Sequence, residues 1–115
     1  MQVPKPTEAD KARFRSLVPD APGVEVKPMF GNLGGFVNGN MFMGLFGPDV
    51  GVKLAPAELD ELRALPGTGP FGPPERPMAG WATLAPGQLG TPDGAAWIGR
   101  ALSHVRTLPP KTPKG

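Results

Sequence analysis

The sequence predicts an α+β domain in two layers, an antiparallel β-sheet with helices on one face, in the order α-β-β-β-β-α-β-α. Three observations lead there. Asn38-Gly39, a strong hairpin signal, stands between two apolar stretches; amphipathic helical patterns lie near both ends and in the middle; and helices do not alternate with strands as parallel βαβ units require. The 115 residues suit one domain, 1–115, with 7–108 folded and flexible segments at 1–6 and 109–115. A chain of this length buries roughly two-thirds of its unfolded surface, enough for a core without staples.

Thr7, followed by the acids Glu8 and Asp10, predicts an N-cap and a first helix whose opening turn suits the helix dipole. Phe14, Leu17 and Val18 fall on one face, and Pro19, Pro22 and Gly23 end the pattern. Val24 to Phe30 alternates as a strand does, and Pro28, which cannot donate to a ladder, assigns it to an edge or a bend. Gly31 to Gly35 predicts a flexible turn. Asn38-Gly39 then supplies the two positive φ values of a type I′ turn between antiparallel strands. Strict alternation puts Met41, Met43 and Leu45 on one face and Phe42 and Phe46 on the other.

Gly47-Pro48-Asp49 turns the chain into Val50-Gly51-Val52-Lys53-Leu54, with Val50, Val52 and Leu54 facing inward. Pro56 suits a first helical position, and Leu59, Leu62 and Leu65 make the apolar side of a short helix that Pro66-Gly67 stops. Thr68 to Pro77 is a Pro/Gly loop carrying Phe71 and Arg76, followed by a last strand through Met78, Trp81 and Leu84. Thr91-Pro92-Asp93 opens the final helix. Its stripe is Trp97, Ile98, Ala101, Leu102, Val105 and Leu108, and Pro109-Pro110 ends it.

Composition narrows the function. The 17 Gly and 17 Pro mark a turn-rich chain, the formal charge is only +2, and there is no Cys, which removes disulfides, thiolate metal sites and a cysteine nucleophile. No run approaches the ~18 apolar residues of a membrane span, and no secretory h-region is visible in Met1 to Leu17, so a cytoplasmic location is expected. His104 is the single histidine; without a second His or a GxSxG elbow it reads as a helix-surface residue. No catalytic residue, metal ligand or cofactor site is therefore assigned. Gly31-Asn32-Leu33-Gly34-Gly35 lacks the strand, loop, helix order of a phosphate cradle.

Lys27, Lys53 and Arg76 are candidate anion-binding residues beside Trp81, two on strands and one in a loop able to fold over them. Helices cover one sheet face only, so Phe42 and Phe46 are the candidate interface residues of the other face. A weak net charge and no basic stripe interleaved with aromatics argue against direct nucleic-acid binding.

Met29-Phe30-Gly31, Asn38-Gly39 with Met41-Phe42, Val52-Lys53-Leu54, and Arg76-Pro77-Met78 with Trp81 occur in an order and spacing that resemble the TfoX N-terminal domain family, from about Phe14 to Leu108. The resemblance implies a compact α+β domain comparable with secretion-chaperone-like folds, in which dimers are common. Family members are named for a regulator of natural competence that works with the cyclic-AMP receptor protein at promoters. Many relatives carry a basic residue near Pro28 and a glycine where Asn32 stands. The two-domain regulators have a further helical domain that this sequence does not include. The function expected is a non-enzymatic protein-interaction or regulatory module, a homodimer linked to transcription; the alternative is a small-molecule or anion-binding domain using Lys27, Lys53 and Arg76.

Overall fold

The computed structural model describes residues 5–29, 31–73 and 75–110. The elements follow the expected order: α1 (Glu8–Leu17), β1 (Val24–Met29), β2 (Asn32–Val37), β3 (Asn40–Phe46), β4 (Asp49–Lys53), α2 (Pro56–Arg63), β5 (Trp81–Thr83) and α3 (Pro92–Arg106), with a 3₁₀ turn at Pro86–Gln88 that the sequence reading did not contain. Five strands form one antiparallel sheet in the order β1-β2-β3-β4-β5. Each strand lies beside the next strand of the chain; short turns join β1 to β2, β2 to β3 and β3 to β4, whereas α2 and the loop after it lie between β4 and β5.

Local chemistry explains the boundaries. Thr7 caps α1 reciprocally: its Oγ1 accepts from the Asp10 N–H at 3.0 Å, and the Asp10 carboxylate accepts from the Thr7 N–H at 2.8 Å. Asn38 (φ 53°) and Gly39 (φ 81°) build the turn between β2 and β3, as their sequence required. Pro28 sits on the edge strand β1. Thr91 accepts from the Gly94 N–H at 3.2 Å to start α3. Gly94 itself abuts the carbonyl of Gln88, so the 3₁₀ turn and α3 meet where a side chain would collide.

The core lies between the sheet and the helices. Phe14 of α1, Leu59 and Leu62 of α2, and Trp97, Ile98, Ala101, Leu102 and Val105 of α3 pack against Leu33, Val37, Phe42, Met43, Leu45, Val50, Val52, Ala82 and Leu84. Such burial, at about 25 cal/mol per Å² of apolar surface, drives the two layers together. Arg100 ties α3 to α2 through Glu58 at 3.7 Å and Glu61 at 3.5 Å. The helical layer stops short of the edge, because Val26 on β1 is 37% exposed.

Four expectations change. The segment Gly31 to Gly35 is not a turn: Gly31 (φ 83°) makes it, and Asn32 already begins β2. Pairing then shifts, with Gly35 opposite Met43 but Phe36 opposite Met41, so Phe42 is the extra residue of a β-bulge. The bulge reverses the alternation and turns Phe42, Met43 and Leu45 into the core while Met41 and Phe46 face outward. Phe42 is 0% exposed and is thus not an interface residue. The third change is at α2, which ends at Arg63 and leaves Leu65 37% exposed. The fourth is that Met78 precedes β5 and belongs to a loop. Of the expected flexible ends, 1–4 and 111–115 lie outside the described residues; Pro109 accepts a hydrogen bond from the Asn40 side chain at 2.9 Å.

Candidate functional site

Register defines the sheet's outer face, because paired residues share a side. Lys27 pairs with Gly34, Gly34 with Gly44, Gly44 with Gly51, and Gly51 with Thr83. Three adjacent strands thus place glycine in one row, which has no side chains of its own and lets Phe36 and Met41 lie over Gly34 and Phe71 over Gly44 and Gly51. Phe71 fills one end of this trench. Its ring lies against the backbone of Gly44 and Gly51; a Cβ on Gly44 would come within 3.3 Å of it, and a Cβ on Gly51 would stand inside it.

The segment between α2 and β5 is folded onto the sheet as a flap. Gly69 and Thr83 exchange backbone hydrogen bonds of 2.7 and 3.4 Å, and the Thr83 hydroxyl donates to the Pro70 carbonyl at 2.8 Å. Phe71 is pinned in turn by the Met78 N–H, which donates to its carbonyl at 2.9 Å. The Phe71 ring stacks on Trp81 with centroids 5.4 Å apart and meets the edge of Phe46 at 6.2 Å. Gly72 (φ 103°) makes the bend after it, a conformation other residues adopt at a cost.

Beside Phe71 the trench stays open as a cavity of about 300 Å³, walled by Met29, Met41 and Phe46 of the sheet and by Phe71, Pro73 and Met78 of the flap. Gly44 contributes to its floor. Asn32 is a polar residue of the lining, and it is 4% exposed. Its side-chain oxygen accepts from the Gly47 N–H at 2.8 Å, which satisfies the turn between β3 and β4 and explains a buried amide in apolar surroundings. Among the described residues, none that lines the cavity is ionisable. A perturbed ionisable group lies instead in the cap of α1: the hydrogen bond from the Thr7 N–H, with the Thr7 hydroxyl and Arg13 adding to it, holds the Asp10 carboxyl below its ordinary pKa.

The charged residues expected to converge are spread out. Lys27 on β1 and Lys53 on β4 are separated by β2 and β3, three strand spacings or roughly 14 Å. Lys27 pairs with Glu25 at 3.4 Å and lies 5.5 Å from the Phe36 ring centre. Arg76 is exposed in the flap, and Trp81 is covered by Phe71. None of Lys27, Lys53, Arg76 or Trp81 lines the cavity. Phe46, the other candidate interface residue, does line it and is half-buried.

The motif residues divide by role. Met29, Met41 and Met78 meet around the cavity; Gly31, Asn38 and Gly39 form turns; Phe42 is core; Arg76 and Pro77 are exposed; Phe30 lies outside the described residues. Sequence reasoning missed Phe71, Gly44, Gly51 and Asn32 as members of one site. The available signal was a glycine in each of three consecutive strands together with an aromatic residue in the following Pro/Gly loop. Among the described residues no three His, Asp or Glu come together in a way that could hold a metal ion, and no helix is long and apolar enough to cross a membrane.

Neither the curated proteins nor the solved structures include a match to this chain. A family model does match: that of the TfoX N-terminal domain, over residues 16–105, a span that includes the whole sheet, the flap and nearly all of α3. The hairpin, the methionines of the cavity and the flap are all within it, and the chain belongs to the TfoX N-terminal domain family.

Proposed function

We propose that this protein is a non-enzymatic regulatory module of the cytoplasm that acts by recognition, with a protein partner in transcriptional control as its target. The observation that carries the reading is the cavity lining. Methionine, phenylalanine, leucine, proline and glycine surround it together with the single amide of Asn32, and these side chains bind apolar groups but supply no nucleophile, acid or base. Family membership supports the link to transcription, since the family takes its name from a competence regulator. The anion-binding alternative loses its support, because the strand order keeps Lys27 and Lys53 apart.

Self-association is the form of recognition to test first. Light scattering coupled to size-exclusion chromatography, on the wild type and on Phe46→Glu, reads it directly. Phe46 is the position to charge, because a charge at Phe42 would be placed in the core. A dimer that Phe46→Glu splits supports recognition through the sheet's outer face. A strict monomer that also retains no partner from lysate contradicts the module reading.

A further inference from the structure

We propose that the outer-face cavity is a binding site for one small, uncharged apolar molecule, held between Met29, Met41 and Phe46 of the sheet and Phe71 and Met78 of the flap. The inference goes beyond the partner reading and does not depend on it. Its first support is size: about 300 Å³ falls at the lower end of the range for small-molecule sites. That is the space of roughly ten waters at about 30 Å³ each, which suits a ligand on the order of ten non-hydrogen atoms.

The lining specifies the class. A charged ligand would lose its hydration without gaining an opposite charge, since none of the described residues that line the cavity is ionisable. An apolar ligand loses nothing comparable, because apolar cavities hold water poorly. Three methionines on three different segments give walls that adapt to shape, as unbranched thioethers do. The space itself is built: the glycine row removes side chains from the sheet, Phe71 closes one end, and backbone hydrogen bonds from Gly69 and Met78 fix the flap above it. Eleven of the described residues line the cavity, whereas a standard protein interface uses about 20–30 on each side. The cavity by itself is therefore sized for a compact molecule, whereas a protein partner would need the wider outer face around it.

The test is titration with the uncharged, environment-sensitive fluorophore 1-aminonaphthalene, which is of the size the cavity accommodates. One saturable site per chain is expected, with the probe displaced by indole and 1-octanol but not by octanoate. Met41→Trp and Met29→Trp each put a large ring into the cavity from a different strand; each should weaken probe binding at least tenfold while circular dichroism and melting stay near wild type. Lys53→Ala should leave binding unchanged. Non-saturating fluorescence, displacement by octanoate as effective as by octanol, or wild-type affinity in a folded Trp variant overturns the proposal. So does a protein that takes up no probe yet forms a dimer split by Phe46→Glu, which assigns the cavity to a second copy. Competition by the uncharged and charged ligands decides the matter even where a Trp variant does not fold.

Discussion

Gly51→Ala should destabilise the wild type and stabilise a variant lacking Phe71, and this reversal of sign probes how the flap is held. In the wild type a Cβ at Gly51 would stand inside the Phe71 ring, so the ring must leave the trench. Phe71 is 4% exposed, and removing a buried Phe costs about 3 kcal/mol at the lower end of its range. Alanine is better than glycine in a strand by roughly 0.5–1 kcal/mol. The net cost of Gly51→Ala is thus about 2 kcal/mol, against about 3 kcal/mol for Phe71→Ala. In the Phe71→Ala background the clash is gone, and Gly51→Ala should stabilise by about 0.5 kcal/mol. The coupling energy of the double-mutant cycle is then about 2.5 kcal/mol, toward the upper end for contacting residues. Urea unfolding followed by circular dichroism measures all four proteins, and Phe71→Ala alone should lower the melting temperature by roughly 12 °C, given about 2.1 cal/mol/K per residue of unfolding entropy. Additive costs, with Gly51→Ala equally damaging in both backgrounds, would refute the packing of Phe71 on the glycine row.

Three further predictions concern other parts of the fold. Phe42→Ala should cost about 3–4 kcal/mol because the bulge buries that ring, while Phe46→Ala, at a half-buried site, should cost about 1 kcal/mol; similar losses in denaturant melts would contradict the bulge. Gly39→Ala should cost about 1–2 kcal/mol, since the hairpin needs φ of 81° there, and an unchanged unfolding midpoint would argue against a type I′ turn. Folding lowers the Asp10 pKa, so its stabilising effect is complete above the ordinary carboxylate pKa near 3.8 and is lost as pH falls through the lower folded value. The melting-temperature gap between wild type and Asp10→Asn should accordingly be present at pH 6 and close in acid; a gap independent of pH would place the effect outside the capping box.

Much of the fold was legible because its signals are local. Thr7 with Asp10, Asn38-Gly39, and Pro28 on an edge each reflect chemistry within a few residues. The bulge was not, since it depends on which residue of β2 faces which residue of β3. A trace of it exists in the unbroken apolar run Met41-Phe42-Met43, which strict alternation does not explain. Glycine is ambiguous for the same reason: Gly34 and Gly35 resemble a turn until neighbouring strands make them part of a sheet. Strand order likewise decided the fate of Lys27 and Lys53, which were placed on strands correctly but on strands that do not touch. The site was half visible, in the methionines of the family motif. Its other half, Phe71 over Gly44 and Gly51, is long-range packing that becomes evident only when the flap is folded back.

The central claim, that the outer face of the sheet is where this protein recognises its ligand, is tested most directly by methyl spectra of methionine-labelled protein titrated with indole. The account predicts that the Met29, Met41 and Met78 resonances move together and saturate, while Met43, 0% exposed on the opposite side of the sheet, stays in place. Resonances that do not move, or a Met43 shift as large as the others, would contradict it.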